Sequence, residues 1–441
     1  MRRRALIPVL LMAAPLGAAE AAAPAISSGD TAWMMTATAF VMLMTIPGLA
    51  IFYGGLVRSK NVLSILAQCL AITCLVSLLW VAYGYSLAFD QTGMVKDELN
   101  RGSFIGGLSR LFLLGMGADS VHPLAPTIPE SVFCAFQLGF AVITPALIVG
   151  AFAERMRFCA VMWFTALWLT LAYLPICHMA WAGDGSLFGS RFGLFDFAGG
   201  TVIEINSGVS SLVAALVVGR RLGFPQNAIL PHDSVLCIIG GALLWIGWFG
   251  FNAGSAVAAN GSAGMALLAT HFAGCAAGMT WMTIEWMRHR KSSAVGIVTG
   301  AVAGLVAITP ACGFVGPLGA IVIGAVAAFC SYFAVTMLKR RFAYDDTLDV
   351  FGVHGIGGLV GTLLTGVFAS STLGGMKDGV DILAQLGAQA ACSGITIVWA
   401  VVATLIALKL TDLMVGLRVK DHEENQGLDL VQHGEVAYNT P

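Results

Sequence analysis

Charged side chains are scarce in this sequence: Asp, Glu, Lys and Arg supply 11% of its 441 residues, against 58% hydrophobic residues and a mean hydropathy of +0.84. An ordinary soluble domain carries about a quarter charged residues, so a soluble fold of this length is excluded. The net charge of −1 removes any bulk attraction to nucleic acid, and the basic residues have to be read by position. The ten cysteines form no C-x-x-C pair and join no His/Cys ligand cluster. All lie in apolar stretches, where a free thiol behaves as a small hydrophobe, so neither a disulfide nor a metal site is expected. The chain also lacks a recognisable nucleophile–base pair and a phosphate loop, which argues against an enzyme and against a cofactor.

What the chain has instead is long apolar runs. Stretches able to span a bilayer lie near 32–53, 62–89, 128–151, 157–178, 199–219, 234–253, 262–287, 294–311, 314–338, 349–370 and 386–411. The expectation is an all-α polytopic membrane protein of eleven transmembrane helices. Ahead of them, residues 1–25 combine Arg2, Arg3 and Arg4 with a short apolar run and small residues, the pattern of a signal peptide. The loops containing Arg58, Lys60, Arg155, Arg157, Arg220, Arg221, Arg288, Arg290, Lys291, Lys339, Arg340 and Arg341, with Arg418 and Lys420 of the tail, all fall on one side. The other side holds only Lys96, Arg101, Arg110, Arg191 and Lys377. The positive-inside rule then puts the N-terminus outside and the C-terminus in the cytoplasm.

The fifth and tenth spans share a pattern, with Glu204 four residues before Gly208 and His354 four before Gly358. Five spans per half give two inverted five-helix repeats plus a long last helix, an arrangement that places a transport site between the halves near mid-bilayer. Ionisable groups inside apolar spans are costly and point to function. Glu204 and His354 are the deep ones. His178 and His271 read as hydrogen-bonded packing groups, and Glu285 as an interfacial residue near Arg288 and Arg290. Asp196 and Asp349 open the fifth and tenth spans, where a carboxylate caps a helix N-terminus.

Several longer pieces carry a family resemblance: TIPGLAIFYGGLVRSKNVLS at 45–64, LIVGAFAERMRF at 147–158, DFAGGTV at 196–202, IGWFGFNAGSA at 246–256, TPACGFVGP at 309–317 and DVFGVHGIGG at 349–358. In this order they resemble the ammonium transporter family, which includes bacterial Amt proteins, fungal permeases and Rhesus proteins. The resemblance runs from about Asp30 to the C-terminus, giving a membrane domain over 30–415 and a cytoplasmic regulatory tail over 416–441.

It implies a substrate site for ammonium at Phe140, Trp181 and Ser255, with Phe140 stacked over Phe251 as the gate of an apolar pore. Ammonium is a small cation with N–H donors: an indole face attracts the charge, and a hydroxyl accepts a hydrogen bond that potassium cannot donate. Asp196, Gln137, Trp248 and Asn252 are supporting residues. The resemblance further implies a pore dyad at Glu204 and His354, with glutamate where most bacterial members carry histidine. A carboxyl beside an imidazole suits a proton relay, so uptake is expected as capture, deprotonation and ammonia conduction with proton co-translocation. An electroneutral ammonia channel and an ammonium sensor with little flux are the alternatives. The tail pattern Gly427, Leu428, Asp429, His433, Gly434, Glu435 and Tyr438 implies an ordered tail on the cytoplasmic face of an inner-membrane homotrimer, with a PII-type signal protein as partner.

Overall fold

The computed structural model describes residues 25–438 apart from position 228, so nearly all of the expected signal peptide lies outside the described residues. Among the described residues the regular structure is helical, and ten helices are long and apolar enough to cross a membrane. They are α1 (Ser28–Leu56), α2 (Ser59–Phe89), α3 (Glu130–Phe152), α4 (Phe158–Trp181), α5 (Gly200–Val218), α6 (Ser234–Gly254), α7 (Gly261–His289), α9 (Pro317–Phe342), α10 (Phe351–Phe368) and α11 (Ile382–Val415). Between α7 and α9, the expected span at 294–311 is a shorter apolar helix, α8 (Ala294–Ile308). It gives way to a run of turns at Thr309, where Pro310, lacking an N–H, does not continue the helical ladder.

A bundle in lipid gains no hydrophobic drive from helix association, so close packing and satisfied polar groups hold it together. The most central contact is the crossing of α5 and α10. A side chain at Gly208 would run into the backbone of Gly355, and a Cβ at Gly358 would come within 2.6 Å of the Glu204 Cβ. The two glycines noted in the sequence pattern are therefore reciprocal contact points, each making room for the other helix where it carries its ionisable residue. Both helices begin with a wider π-helical turn, Gly200–Ile205 in α5 and Phe351–Gly355 in α10, and these turns contain Glu204 and His354.

The helix starts agree with the expectation at one end and correct it at the other. Asp196 accepts from the backbone N–H of Gly199, Gly200 and Thr201 and from the Thr201 hydroxyl, satisfying the orphan donors of α5. For α10, however, the cap is Asp346, which accepts from Phe351 N–H at 2.7 Å. Asp349 sits at φ 60° and pairs with Lys339 at 2.6 Å instead. The reason is register: the spacing from Asp196 to Glu204 equals that from Asp346 to His354, so Asp346 is the true counterpart.

Two further readings change. Cys74 and Cys159 are exposed on the outside of the bundle rather than packed, although Cys69, Cys134, Cys177, Cys237, Cys312 and Cys392 are buried. His271 also points outward, beside Trp245 and Phe249, because its position on α7 faces away from the neighbouring helices. His178 is buried as expected, with its ring nitrogens 2.9 Å from Ala88 O and 2.7 Å from Gly102 O, tying the end of α2 and the long loop after it to α4.

Candidate functional site

Three cavities lie in series through the bundle, and most of the residues singled out from sequence line them. The first, of about 170 Å³, opens on the face opposite the tail and is bordered by Gln137 and Phe140 of α3, Trp181 of α4, and Ser255 just past the end of α6. The Trp181 indole N–H donates to Asp196 O at 3.0 Å, so the residue that caps α5 also orients the indole. The Ser255 hydroxyl donates to Phe251 O at 2.9 Å, which leaves its lone pairs free to accept. The Gln137 Oε1 is buried without a hydrogen-bond partner, an acceptor kept out of water at the cavity wall.

Phe140 lines this cavity and touches Phe251, which lines the next one. Both are 1% exposed. Their centroids are 4.5 Å apart at an interplanar angle of 86°, an edge-to-face contact and not the stack expected from sequence. The difference follows from the partners of Phe140, whose ring is also held edge-on by Phe136 at 4.8 Å and tilted against Trp181 at 5.6 Å.

Past Phe251 lies the second cavity, of about 10 Å³, walled by apolar groups such as Leu49, Ile143, Leu244 and Trp248, with Glu204 and His354 at its polar end. A space of that size holds about one water-sized molecule. Glu204 Oε2 and His354 Nδ1 are 2.7 Å apart, with Glu204 1% and His354 5% exposed. A contact this short between a carboxyl and an imidazole is a hydrogen bond with one shared proton. His354 also borders the third cavity, of about 500 Å³, together with Tyr53, Glu285, Lys339 and Asp349. The pair therefore stands between the narrow apolar space and a wide polar mouth on the face that bears the tail.

The supporting residues divide. Trp248 lines the narrow space and is fixed by its indole N–H donating to Thr309 Oγ1 at 2.9 Å. Asn252 is fully buried and donates to Thr270 Oγ1 at 2.9 Å, which ties α6 to α7 away from the cavities. Glu285 is not paired with Arg288 or Arg290. It accepts from Trp281 Nε1 at 3.1 Å and Ser293 N–H at 2.7 Å, joining α7 to the start of α8. Sequence reading missed Tyr53, which borders both the narrow and the wide cavity and donates to Leu147 O at 3.1 Å. Its position inside the IFYGG piece was the available signal.

The model of the Ammonium Transporter Family matches residues 32–438, nearly the whole of the described chain. The chain belongs to this family. The Aquifex aeolicus protein named ammonium transporter is 43% identical over 419 residues, covering 94% of each chain. A Bacillus subtilis protein of the same name is 43% identical over 415 residues, covering 93% of this chain and 98% of its own. Among solved structures, Saccharomyces cerevisiae Mep2 superposes with a TM-score of 0.81 at 33% identity over 90% of this chain and 89% of Mep2. A protein described as a sensor Amt protein reaches 0.83 at 29% identity, over 92% and 98% of the two chains. The family member described here is thus a multi-pass membrane protein of the ammonium transporter fold.

Among the described residues, the tail of this family member is packed. Leu428 N–H donates to Asn61 Oδ1 at 2.8 Å, Ser64 N–H to Asp429 Oδ1 at 2.7 Å, and Phe158 N–H to Gln432 Oε1 at 3.2 Å. The Lys60 ammonium donates to Asn425 O, His433 sits edge-on to Phe158, and Tyr438 OH lies 3.1 Å from His232 Nε2. Gly427 adopts φ 108° where the chain passes over Lys60, a conformation and a clearance that favour glycine.

Proposed function

We propose that this protein takes up ammonium by capturing the cation outside, removing one proton, and conducting ammonia to the cytoplasm while the proton follows through Glu204 and His354. The observation that carries the reading is the 2.7 Å Glu204–His354 contact at the inner end of a narrow apolar space. Phe140, Trp181 and Ser255 form the recruitment site. The indole face attracts the cation and Ser255 accepts one N–H, with Asp196 holding Trp181 in place and Gln137 offering a second acceptor. The Phe140–Phe251 pair is the gate. An ion entering the space beyond it would lose its hydration, whereas ammonia would not lose charge stabilisation, so the pore favours deprotonation on entry.

The balance of the step is simple: ammonium gives ammonia and a proton, which protonates the Glu204 carboxylate. The new proton takes the other Glu204 oxygen while the proton already shared in the hydrogen bond moves onto His354 Nδ1, Nε2 releases a proton to the wide cavity, and the pair returns to its starting tautomers before the next turnover. The N-terminus faces outward and the C-terminus lies in the cytoplasm of an inner-membrane homotrimer, whose tail is open to a PII-type signal protein. The excess of basic residues on the tail side supports this orientation.

The test is an ammonium pulse given to proteoliposomes on a solid-supported membrane, with uptake measured in parallel. The parent should give a sustained charge signal proportional to uptake. Glu204→Gln keeps size and reach but removes the exchangeable proton, and should lose most of the current. Equal charge per pulse in the two proteins at every pH would remove the dyad from the proton path. Uptake by the parent without current would establish the electroneutral channel instead, and neither uptake nor current would leave a sensor.

A further inference from the structure

The loop between α2 and α3 lies on the face opposite the tail, but part of it turns back along α2. Gly106 N–H donates to Leu87 O at 2.8 Å, and Arg110 N–H donates to the Ser86 hydroxyl at 3.0 Å. The short turn that follows, Leu111–Leu113, packs beside the Trp80–Gly84 segment of α2. From the end of α2 at Phe89 to that level is a descent of about 7–14 Å at the helical rise. Between Lys60 and Asp90 the α2 sequence carries no charged residue, so the turn stands level with apolar helix and not with a polar end.

The turn divides its apolar side chains. Leu113 and Met116 pack on the core, whereas Phe112 is 70% exposed and Leu114 64%. Along α2 itself, Leu70, Cys74, Leu78 and Val81 are exposed at successive helical turns, forming one stripe whose outer end lies in the segment that the turn packs against. The outward display is imposed by the fold. Phe112 and Leu113 have left-handed backbone, φ 51° and 57°, which L side chains adopt only where their surroundings hold them there. The holding contacts come from Arg110, whose guanidinium donates to Leu114 O at 3.2 Å and pairs with the buried Glu130 at 3.4 Å. Glu130 in turn accepts from Tyr85 OH at 3.0 Å, so the turn is anchored to both α2 and α3 while Phe112 and Leu114 stay uncovered.

We propose that this turn is a membrane wedge, dipping into the leaflet on the face opposite the tail so that Phe112 and Leu114 lie among the acyl chains that cover Leu78 and Val81. Two observations favour acyl chains over a second copy of this chain as the occupant. The turn continues an apolar stripe that runs along a membrane-spanning helix, and polar residues flank it, Ser109 and Arg110 before and Asp119 and Ser120 after. That is the pattern of a segment entering and leaving the headgroup region. Leu124 of the same loop lines the outer cavity, so the leaflet braces a loop that forms part of the cavity wall.

The test places the full chain in phosphatidylcholine vesicles and adds one tryptophan at a time, Phe112→Trp, Leu114→Trp, or Asp119→Trp as a water-facing position in the same loop. Subtracting the fluorescence of the parent isolates the added indole. Phosphatidylcholine brominated on its acyl chains near the headgroup should quench the indole at 112 and at 114 but not at 119. Iodide in the water should quench the first two about threefold less than the third, because a side chain about 5–10 Å below the headgroups is shielded from a dissolved anion. The Leu114→Trp variant keeps the test decisive if Phe112→Trp does not fold. Iodide quenching at 112 and 114 equal to that at 119, without quenching by the brominated lipid, would place the turn in water and overturn the proposal. Quenching of 112 and 114 by neither agent would mean that a second copy covers the turn, and this outcome overturns it as well.

Discussion

At the residue scale the decisive feature is a carboxyl hydrogen-bonded to an imidazole in a space that admits little water. Glu204→His should retain uptake while shifting its pH dependence upward, because an imidazole titrates near 6.5 in water and a carboxyl near 4.3. Flux measured from pH 5 to 8 checks this, and an unchanged profile would show that the group at 204 does not handle the proton. Trp181 makes two contributions, a ring face to the outer cavity and an N–H bond to Asp196 O. Trp181→Leu should weaken apparent ammonium affinity about 2- to 30-fold, the range of a cation–π contact of about 0.5–2 kcal/mol. Competition by potassium measured alongside separates lost selectivity from a misfolded vestibule. The residue types at this site were legible from sequence, because motif context singles out Phe140, Trp181, Phe251 and Ser255. The edge-to-face geometry of the phenylalanines was not, since it depends on Phe136 and Trp181 crowding the same ring.

At the scale of elements, α5 and α10 act as one unit in which each helix is capped by an aspartate and each supplies a glycine to the other's ionisable turn. Gly208→Ala places a methyl group against the backbone of Gly355, next to His354. Neither contacting group is a flexible side-chain end, so the helices must separate, at a cost of about 1–3 kcal/mol. The expected outcome is a lower melting temperature in detergent together with reduced uptake per folded molecule, as the 2.7 Å pair is pulled apart. Retained uptake at reduced stability would mean that the pair tolerates separation. The repeat of glycine after the ionisable residue was visible in the sequence. The choice of Asp346 over Asp349 was not, because Asp345, Asp346 and Asp349 all stand close to the helix start and only the register of the crossing selects one of them.

At the scale of the whole molecule, a buried charge cluster joins the loop after α3, the loop after α5, the approach to α10 and the tail. Burial pushes the carboxyl of Glu154 up, but Arg221 and Arg58 outweigh it and the net shift is downward. Asp345 behaves alike, with burial overcome by its hydrogen bonds and ion pair to Arg221. A depressed carboxyl contributes stability that is complete above its unfolded value, about 3.9 for Asp and 4.3 for Glu, and lost as pH falls through the lower folded value. Melting temperature should therefore hold from pH 7 to 5 and drop below about pH 4, with the acid part of that drop reduced in Glu154→Gln. Arg221→Met strands the buried carboxylate of Asp345 and leaves Glu154 to Arg58 alone, and should cost about 3–5 kcal/mol. Deleting the residues after Val419 removes Glu424 and Asp429, whose acceptors serve Leu222 N–H and Ser64 N–H. Oligomer size in detergent should stay that of the parent while flux changes. Dissociation on sizing would make the tail structural and not regulatory.

Hydropathy, span order, loop charge and the identity of the few ionisable residues inside spans were determined by the sequence alone, because each is a local sum along the chain and a bilayer reads it locally. The helix count was less secure at 294–311, where a proline-bearing turn shortens a helix whose composition is apolar throughout. Which groups meet was decided only by tertiary structure. Glu204 and His354 lie 150 residues apart in sequence, and their contact depends on two glycines that set a helix crossing and two caps that set its register. The same holds for charge: every arginine on the tail face looks alike in sequence, and folding alone determines that some are consumed by buried carboxylates and carbonyls while others, Arg288 and Arg340 among them, are left exposed.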